Sequence, residues 1–298
     1  MIRSGRRGRL PPEKMFPSED ANFRTSFSIL ASGIRVRVVE IGAPAAPPVV
    51  MIPGWGCPVY IFRKTLPALA DAGYRAIAFD VKGSGLSDKP VGEKEYSVAA
   101  LVEHLREVLD ALALDAPAVV GHSRGASLAF HFAAQYPSRV RALGLLAPVG
   151  LTGLPLWRLY KALTPNFLDP LFRRVSPRFV VKLALRRVYG KRGVFTEADV
   201  DQYWAPTQFP EYAVALRDAL HAYDWKFAAR NPIPQLSVPA VGIWGDRDHL
   251  MPSDGMAIYA KAIPGITLHR VTGVGHIVTE EGAGIVASGL RAMLDAAG

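Results

Sequence analysis

Cysteine is nearly absent from this chain: Cys57 is the one thiol in 298 residues. No internal disulfide can form, so stability has to come from packing, and a reducing, cytoplasmic setting is expected. Long apolar runs are missing too. The longest apolar stretch, Ala142 to Trp157, contains Gly144, Pro148, Gly150, Gly153 and Pro155, which would break a spanning helix. No His/Asp/Glu/Cys cluster has metal-ligand spacing, so neither a metal nor a cofactor is expected. No apolar segment of signal-peptide length follows Arg3, Arg6, Arg7 and Arg9; residues 1–22, interrupted by Pro11, Pro12 and Pro17, read as a loose leader. Acidic residues are outnumbered, 26 against 35 basic, and none lies between Arg173 and Arg192, where eight basic residues fall. Basic runs without a nucleic-acid fold motif read as solvated faces, so no nucleic-acid partner is expected. Internal repeats and low-complexity tracts are likewise missing.

What is present suits a large packed core: half of the residues are hydrophobic. Residues 23–41 alternate in two runs about Ser32-Gly33 and predict a hairpin. Short buried strands are then expected at 49–52, 75–79, 116–120, 140–146, 239–244 and 266–271. Helices are expected at 58–71, 97–113, 124–136, 253–262 and 279–296. Such alternation predicts an α/β fold with a mostly parallel, doubly wound sheet covered on both faces. Between about 150 and 230 the alternation fails. That stretch is helical in pattern, rich in Trp, Tyr and Arg, and cut by six prolines from Pro155 to Pro210. It reads as an inserted helical cap, leaving 23–149 and 231–298 as the core.

The chemistry centres on Gly121-His122-Ser123-Arg124-Gly125, set between an apolar strand and a good helix former. A G-x-S-x-G in that context reads as a nucleophile elbow, a sharp turn whose flanking positions must be small. The helix that starts at Arg124 aims free N–H groups and its positive dipole end at the serine. A serine hydroxyl is a poor nucleophile, so it needs a base, and the base needs an orienting carboxylate. His276, in Gly273-Val274-Gly275-His276, lies just past the last strand. Asp248 lies just past the preceding strand, with Asp246 as its competitor. All three side chains then end strands at the same sheet edge, where open α/β sheets bind ligands. The glycine-rich loop Asp80–Asp88 lacks the lysine-terminated pattern of a P-loop.

Taken together, Pro53-Gly54-Trp55-Gly56, Asp80 to Ser87, Gly121 to Gly125, Gly245-Asp246-Arg247-Asp248 and Gly275-His276 resemble the α/β-hydrolase fold superfamily, in its capped, serine-esterase-like branch. The resemblance covers roughly 49–146 and 238–290. It implies Ser123 as nucleophile, His276 as general base and then acid, and Asp248 as the orienting acid by the family's G-x-x-D spacing. It also implies an oxyanion hole made by the backbone N–H groups of Trp55 and Arg124. Pro53 stands where the family usually has histidine, and Arg124 where a neutral side chain is usual; the Arg124 guanidinium is expected to form an ion pair away from the site. Trp157, Tyr160 and Trp204 are expected to bind substrate in a largely apolar pocket, with Trp225 and Tyr203 among the residues lining or propping the cap. The basic stretch 173–192 reads as a cap helix over the pocket with a solvated face, in preference to a contact with an anionic membrane.

The activity so implied is hydrolysis of small to medium apolar carboxylic esters through an acyl-enzyme. The same three residues would equally serve a C–C bond hydrolase of the meta-cleavage-product type, a lactonase or a perhydrolase. A non-catalytic ligand receptor on the same fold is the alternative of another class. Epoxide hydrolases and haloalkane dehalogenases share the Asp80–Ser87 type of loop but use an aspartate nucleophile, which Ser123 is not.

Overall fold

The computed structural model describes residues 8–18, 20–150, 157–191, 194–227, 233–251 and 255–298. Eight strands form one sheet: β1 (Arg24–Ile29), β2 (Arg35–Ile41), β3 (Pro48–Ile52), β4 (Arg75–Phe79), β5 (Ala118–His122), β6 (Ala142–Leu146), β7 (Ala240–Gly245) and β8 (Thr267–Val271). Their order is β1-β2-β4-β3-β5-β6-β7-β8. β1 and β2 pair antiparallel, β2 meets β4 antiparallel, and every other pairing is parallel. Every residue of β5, β6 and β7 is buried, which requires cover on both faces. That cover comes from α1 (Thr65–Asp71) packed with α11 (Ala283–Ala296), and from α2 (Val98–Ala111) packed with α3 (Arg124–Gln135). In α2 the buried apolar residues Leu101, Val102, Leu105, Val108 and Leu109 recur at helical spacing.

Strand order places the site. From β3 the chain moves outward to β4, then returns across β3 to β5, and from there runs outward the other way through β6, β7 and β8. The reversal leaves a crevice at the carboxyl ends of β3 and β5, the position where such sheets bind ligands. The loop carrying Trp55 leaves β3 there, and Ser123 leaves β5.

Two predicted helices are broken, for local reasons. The expected helix 58–71 is a 3-10 turn, Val59–Phe62, followed by α1. The Val59 N–H is bound to Asp80 Oδ1 at 2.8 Å, and Pro67 fits only in the first turn of the helix that follows. The expected helix 279–296 is divided at Gly282 into α10 (Val278–Glu281) and α11. At α10 the Glu281 carboxylate is drawn aside to accept from the Gly190 and Gly275 N–H groups, each at 2.9 Å. Of the expected helix 253–262, α9 (Met256–Ala262) is seen, and 252–254 fall outside the described residues.

The leader is not loose over its described part. Met15 is buried beside Leu86 and Ala205. The Phe16 N–H donates to Gln202 Oε1 at 3.0 Å, while its carbonyl accepts from Arg37 at 3.0 Å. Composition pointed to a tail; the apolar pair Met15 and Phe16 instead finds a cleft beside the 157–227 stretch. Between β6 and β7 the described chain forms α4 (Trp157–Ala162), α5 (Asp169–Phe172), α6 (Arg178–Val188), α7 (Glu197–Trp204) and α8 (Pro210–Ala222). α6 buries Leu185 alone, leaving Phe179, Val180 and Leu183 exposed, contrary to an apolar face packed inward.

Candidate active site

Ser123 joins β5 to α3 in a strained turn, φ 56° and ψ −118°. A left-handed φ on a serine is unfavourable and persists only where the surroundings over-determine it. Here they do. The Ser123 N–H is held by the Leu146 carbonyl of β6 at 2.8 Å, and its own carbonyl accepts from Ala126, Ser127 and Val149 at 3.1, 3.2 and 3.3 Å. A Cβ on Gly121 would lie 2.1 Å from the Gly125 carbonyl oxygen, and one on Gly125 would lie 2.1 Å from that of Ile52. Both flanking positions therefore have to be glycine if β3, β5 and α3 are to approach this closely.

His276 Nε2 lies 2.8 Å from Ser123 Oγ, and His276 Nδ1 lies 2.7 Å from Asp248 Oδ2. All three side chains are buried. Burial pushes the Asp248 carboxyl upward, but the facing His276 and the Met251 and Leu250 N–H groups outweigh it, so the net shift is downward. Both N–H groups meet Oδ1 at 2.8 Å. An ionised Asp248 can only accept, so Nδ1 carries the proton and Nε2 turns its lone pair to the Ser123 hydroxyl. Asp246, the competing acid, is spent elsewhere: its Oδ1 accepts from the Gly273 N–H at 2.6 Å and ties down the loop that leads to His276.

The backbone of His276 is fixed as firmly as its ring. Its N–H donates to the Val188 carbonyl at the end of α6, at 2.8 Å, and its carbonyl faces His122 Nε2 at 2.9 Å. A ring nitrogen facing a carbonyl must donate, so His122 is a neutral Nε2–H tautomer. Burial first, and then the charge of His276, lower the His122 pKa to about 3. Nothing in the spacing of His122 marks the bond that it makes.

Among the described residues, neither the Trp55 nor the Arg124 backbone N–H has a hydrogen-bond acceptor, as expected of the first residue of a helix in the latter case. The Trp55 ring is fastened from above: its Nε1 donates to the Leu216 carbonyl of α8 at 3.0 Å, and Trp225 meets it edge to face at 5.8 Å. The Arg124 side chain departs from expectation. It forms no ion pair and no hydrogen bond among the described residues, although it is buried.

The substrate-binding expectations fare differently. Tyr160 is exposed on α4, where a ring cannot line an enclosed pocket. Trp204 props the N-terminal segment instead: its Nε1 donates to the Ser176 carbonyl at 2.7 Å, and the Arg9 guanidinium lies 4.4 Å above its ring. Aromaticity alone does not say which way a helix faces. The side chain of Trp157 lies outside the described residues. Tyr223, Tyr96 and Tyr212 are the titratable aromatic side chains that act electrostatically on Arg124. A buried network went unforeseen. Glu280 of α10 binds Arg63 at 2.5 Å, Tyr203 at 2.6 Å and Tyr189, while Asp199 of α7 binds Arg63 at 2.7 Å and Tyr60 at 2.6 Å. Its members come from four distant stretches, so no local pattern could reveal it.

The family described as alpha/beta hydrolase fold matches residues 47–283. The chain is 34% identical over 137 residues to bifunctional epoxide hydrolase 2 of Sus scrofa, an alignment covering 46% of this chain and 24% of that protein. It is 35% identical over 191 residues to 2-hydroxy-6-oxo-2,4-heptadienoate hydrolase of Pseudomonas putida, covering 60% of this chain and 68% of that one. Among solved structures, the epoxide hydrolase CorEH without ligand superposes with a TM-score of 0.79 at 21% identity, over 92% of this chain and 99% of that chain. The alignment with the porcine relative thus spans about a quarter of that protein's length.

Proposed function

The chain belongs to the α/β hydrolase fold family, and from that premise we propose that it is a serine hydrolase cleaving a small to medium carboxylic ester through an acyl-enzyme. One observation carries the reading: the hydroxyl of Ser123, on its strained turn, lies 2.8 Å from an imidazole whose far nitrogen lies 2.7 Å from an ionised Asp248. Ser123 Oγ attacks the carbonyl carbon while His276 Nε2 takes its proton, and Asp248 stabilises the imidazolium that results. The anionic oxygen of the tetrahedral intermediate rests on the Trp55 and Arg124 N–H groups. His276 returns the proton to the leaving alcohol. Water, deprotonated by the same imidazole, then releases the acid.

Epoxide opening, suggested by the name of the porcine relative, fits the nucleophile poorly. A carboxylate that opens an epoxide leaves an ester, which water can hydrolyse at its carbonyl. A serine would leave an ether, which offers no carbonyl to attack. The Pseudomonas putida relative favours a second reading, in which the same serine and histidine cleave a C–C bond of a conjugated keto acid. The segment 150–230 would serve as the cap that chooses between them.

The test is turnover of p-nitrophenyl butyrate, a lactone, a 2-hydroxy-6-oxo-dienoate and styrene oxide, alongside labelling with a fluorophosphonate. Ester turnover with the label on Ser123, both lost in Ser123→Ala, is expected. Epoxide turnover that survives Ser123→Ala, or a label on another residue, would overturn the proposal.

A further inference from the structure

Arg124 follows the nucleophile directly and is 3% exposed. The other buried arginines, Arg37 and Arg217, and the part-buried Arg63 have their charge met among the described residues. Arg37 binds Asp80 at 2.7 Å, Arg217 binds Asp169 at 2.8 Å and also Asp218, and Arg63 binds Asp199 and Glu280. Arg124 has no carboxylate within ion-pair reach and no acceptor for its guanidinium among the described residues. Its surroundings supply none. Tyr223, Tyr96, Cys57 and Tyr212 are the titratable groups that act on it, and none of the three hydroxyls accepts from its guanidinium; they donate to Ser127 Oγ at 2.8 Å, the Pro90 carbonyl at 2.6 Å and the Gly56 carbonyl at 2.9 Å. Burial pushes the Cys57 thiol up to about 12, so it is no counter-ion either. A guanidinium stays charged in any protein environment, and an unpaired buried charge is strongly unfavourable. Each of those guanidiniums meets a carboxylate; that of Arg124 meets none among the described residues and is left for a partner that arrives.

We propose that the substrate carries, besides its scissile ester, a carboxylate that pairs with the Arg124 guanidinium. The inference rests on the ester-hydrolase reading of the same site. The planar fork of five N–H donors matches a carboxylate through two parallel bonds. With the guanidinium carried by the residue after Ser123, the inference places the carboxylate a short carbon spacer from the scissile carbonyl. Half-esters of short dicarboxylic acids have that form, and they replace a wholly apolar substrate as the expectation.

The experiment compares mono-p-nitrophenyl glutarate with its neutral methyl ester. Wild type should favour the acid in kcat/KM by roughly ten- to a hundredfold, as a charge-assisted pair provides. Arg124→Met should bring that ratio to about one, and Arg124→Lys should keep part of it; the ratio is read, since the rate also depends on the backbone of residue 124. A ratio near one in wild type, with Ser123 still labelled by the fluorophosphonate, overturns the carboxylate inference and leaves the ester reading standing. If no ester is turned over, binding decides. Ser123→Ala should bind monomethyl glutarate about tenfold more tightly than dimethyl glutarate by calorimetry, and Ser123→Ala/Arg124→Met should not. Equal binding in both overturns it.

A separate observation lies on the outside of α4 to α6. Phe167 is 79% exposed, Phe179 69% and Leu183 62%. Phe179, Leu183 and Arg187 follow one another at helical spacing along the face of α6 opposite buried Leu185. Arg178 and Lys182 are paired with Glu197, but Arg174, Arg186 and Arg187 are exposed without a carboxylate partner among the described residues. No acidic residue lies between 170 and 196. Bulky apolar groups set among unpaired cations complement an anionic lipid surface. We infer that this face docks on one, lying on the bilayer, since no described helix is long and apolar enough to cross it. Sedimentation with phosphatidylglycerol-containing vesicles should carry the protein down, phosphatidylcholine vesicles should not, and Phe179→Glu/Leu183→Glu should abolish binding. Binding that is absent, or unchanged in that variant, overturns the inference, as does lipid-free dimerisation through the same face on a sizing column.

Discussion

Asp246 and Asp248 stand two residues apart at the end of β7, yet they do different work. Asp248 Oδ2 faces His276 Nδ1, while Asp246 Oδ1 holds the Gly273 N–H. Asp248→Asn should therefore lower kcat on p-nitrophenyl butyrate by about four orders of magnitude, because a neutral amide no longer holds the imidazole in the required tautomer. Asp246→Asn should cost less than about tenfold in kcat and show itself in thermal stability, as the loss of one charge-assisted bond does. The reverse pattern would transfer the orienting role to Asp246. At this scale the sequence was legible where a residue's duty follows from its neighbours in the chain, as for Ser123 between its two glycines. It misjudged the Arg124 guanidinium, for which it predicted an ion pair, because the groups that act on that side chain come from residues 57, 96, 212 and 223.

The loop from Gly273 to Ile277 carries His276 and packs backbone to backbone on the end of α6. A Cβ on Gly275 would lie 2.3 Å from the Gly190 nitrogen and 2.5 Å from the Val188 oxygen. Gly275→Ala should push the imidazole off Ser123, lowering kcat by about a hundredfold or more with little change in KM, read from steady-state rates and checked against intact near-UV dichroism. Gly125→Ala acts at the other end of the site. Its Cβ would meet the Ile52 carbonyl, and a loss of roughly 3 kcal/mol or insoluble expression is expected, measured by urea unfolding. The periodicity that announced α2 and the strands is intrinsic to those elements, and it was readable. The break at Gly282 and the 3-10 turn at Val59–Phe62 were not, since each is set by a carboxylate from elsewhere in the chain, or one drawn elsewhere: Asp80 for the turn and Glu281 for the break.

For the molecule as a whole, acid is the natural stress. His104 and His122 are buried, and desolvation, which comes first, and nearby positive charge lower both to about 3. The unfolded chain takes up protons at these positions below about pH 6.5 and the folded chain does not, so stability is complete above that point and drains away as pH falls toward 3. Between about pH 7 and about pH 5 each should cost of order 2 kcal/mol, about 4 together, seen as a lower urea midpoint. Asp248, depressed from 3.8, adds its loss only below that value. An unchanged midpoint would mean that the two imidazoles accept protons while folded. Fold class, strand count and the three converging side chains were all within reach of the sequence, whereas the packing of Met15 and Phe16 depends on a surface that only the assembled chain presents. One bond bears on how such proteins can be recombined. The amide of His276 is anchored to Val188, outside the sheet, at 2.8 Å. Transplanting 150–230 from a relative would thus swap the acceptor behind the His276 amide together with the proposed cap. A chimera built to change substrate preference would have to import the Gly190–Gly275 seam with it, or forfeit its rate for reasons that have nothing to do with the new cavity's shape.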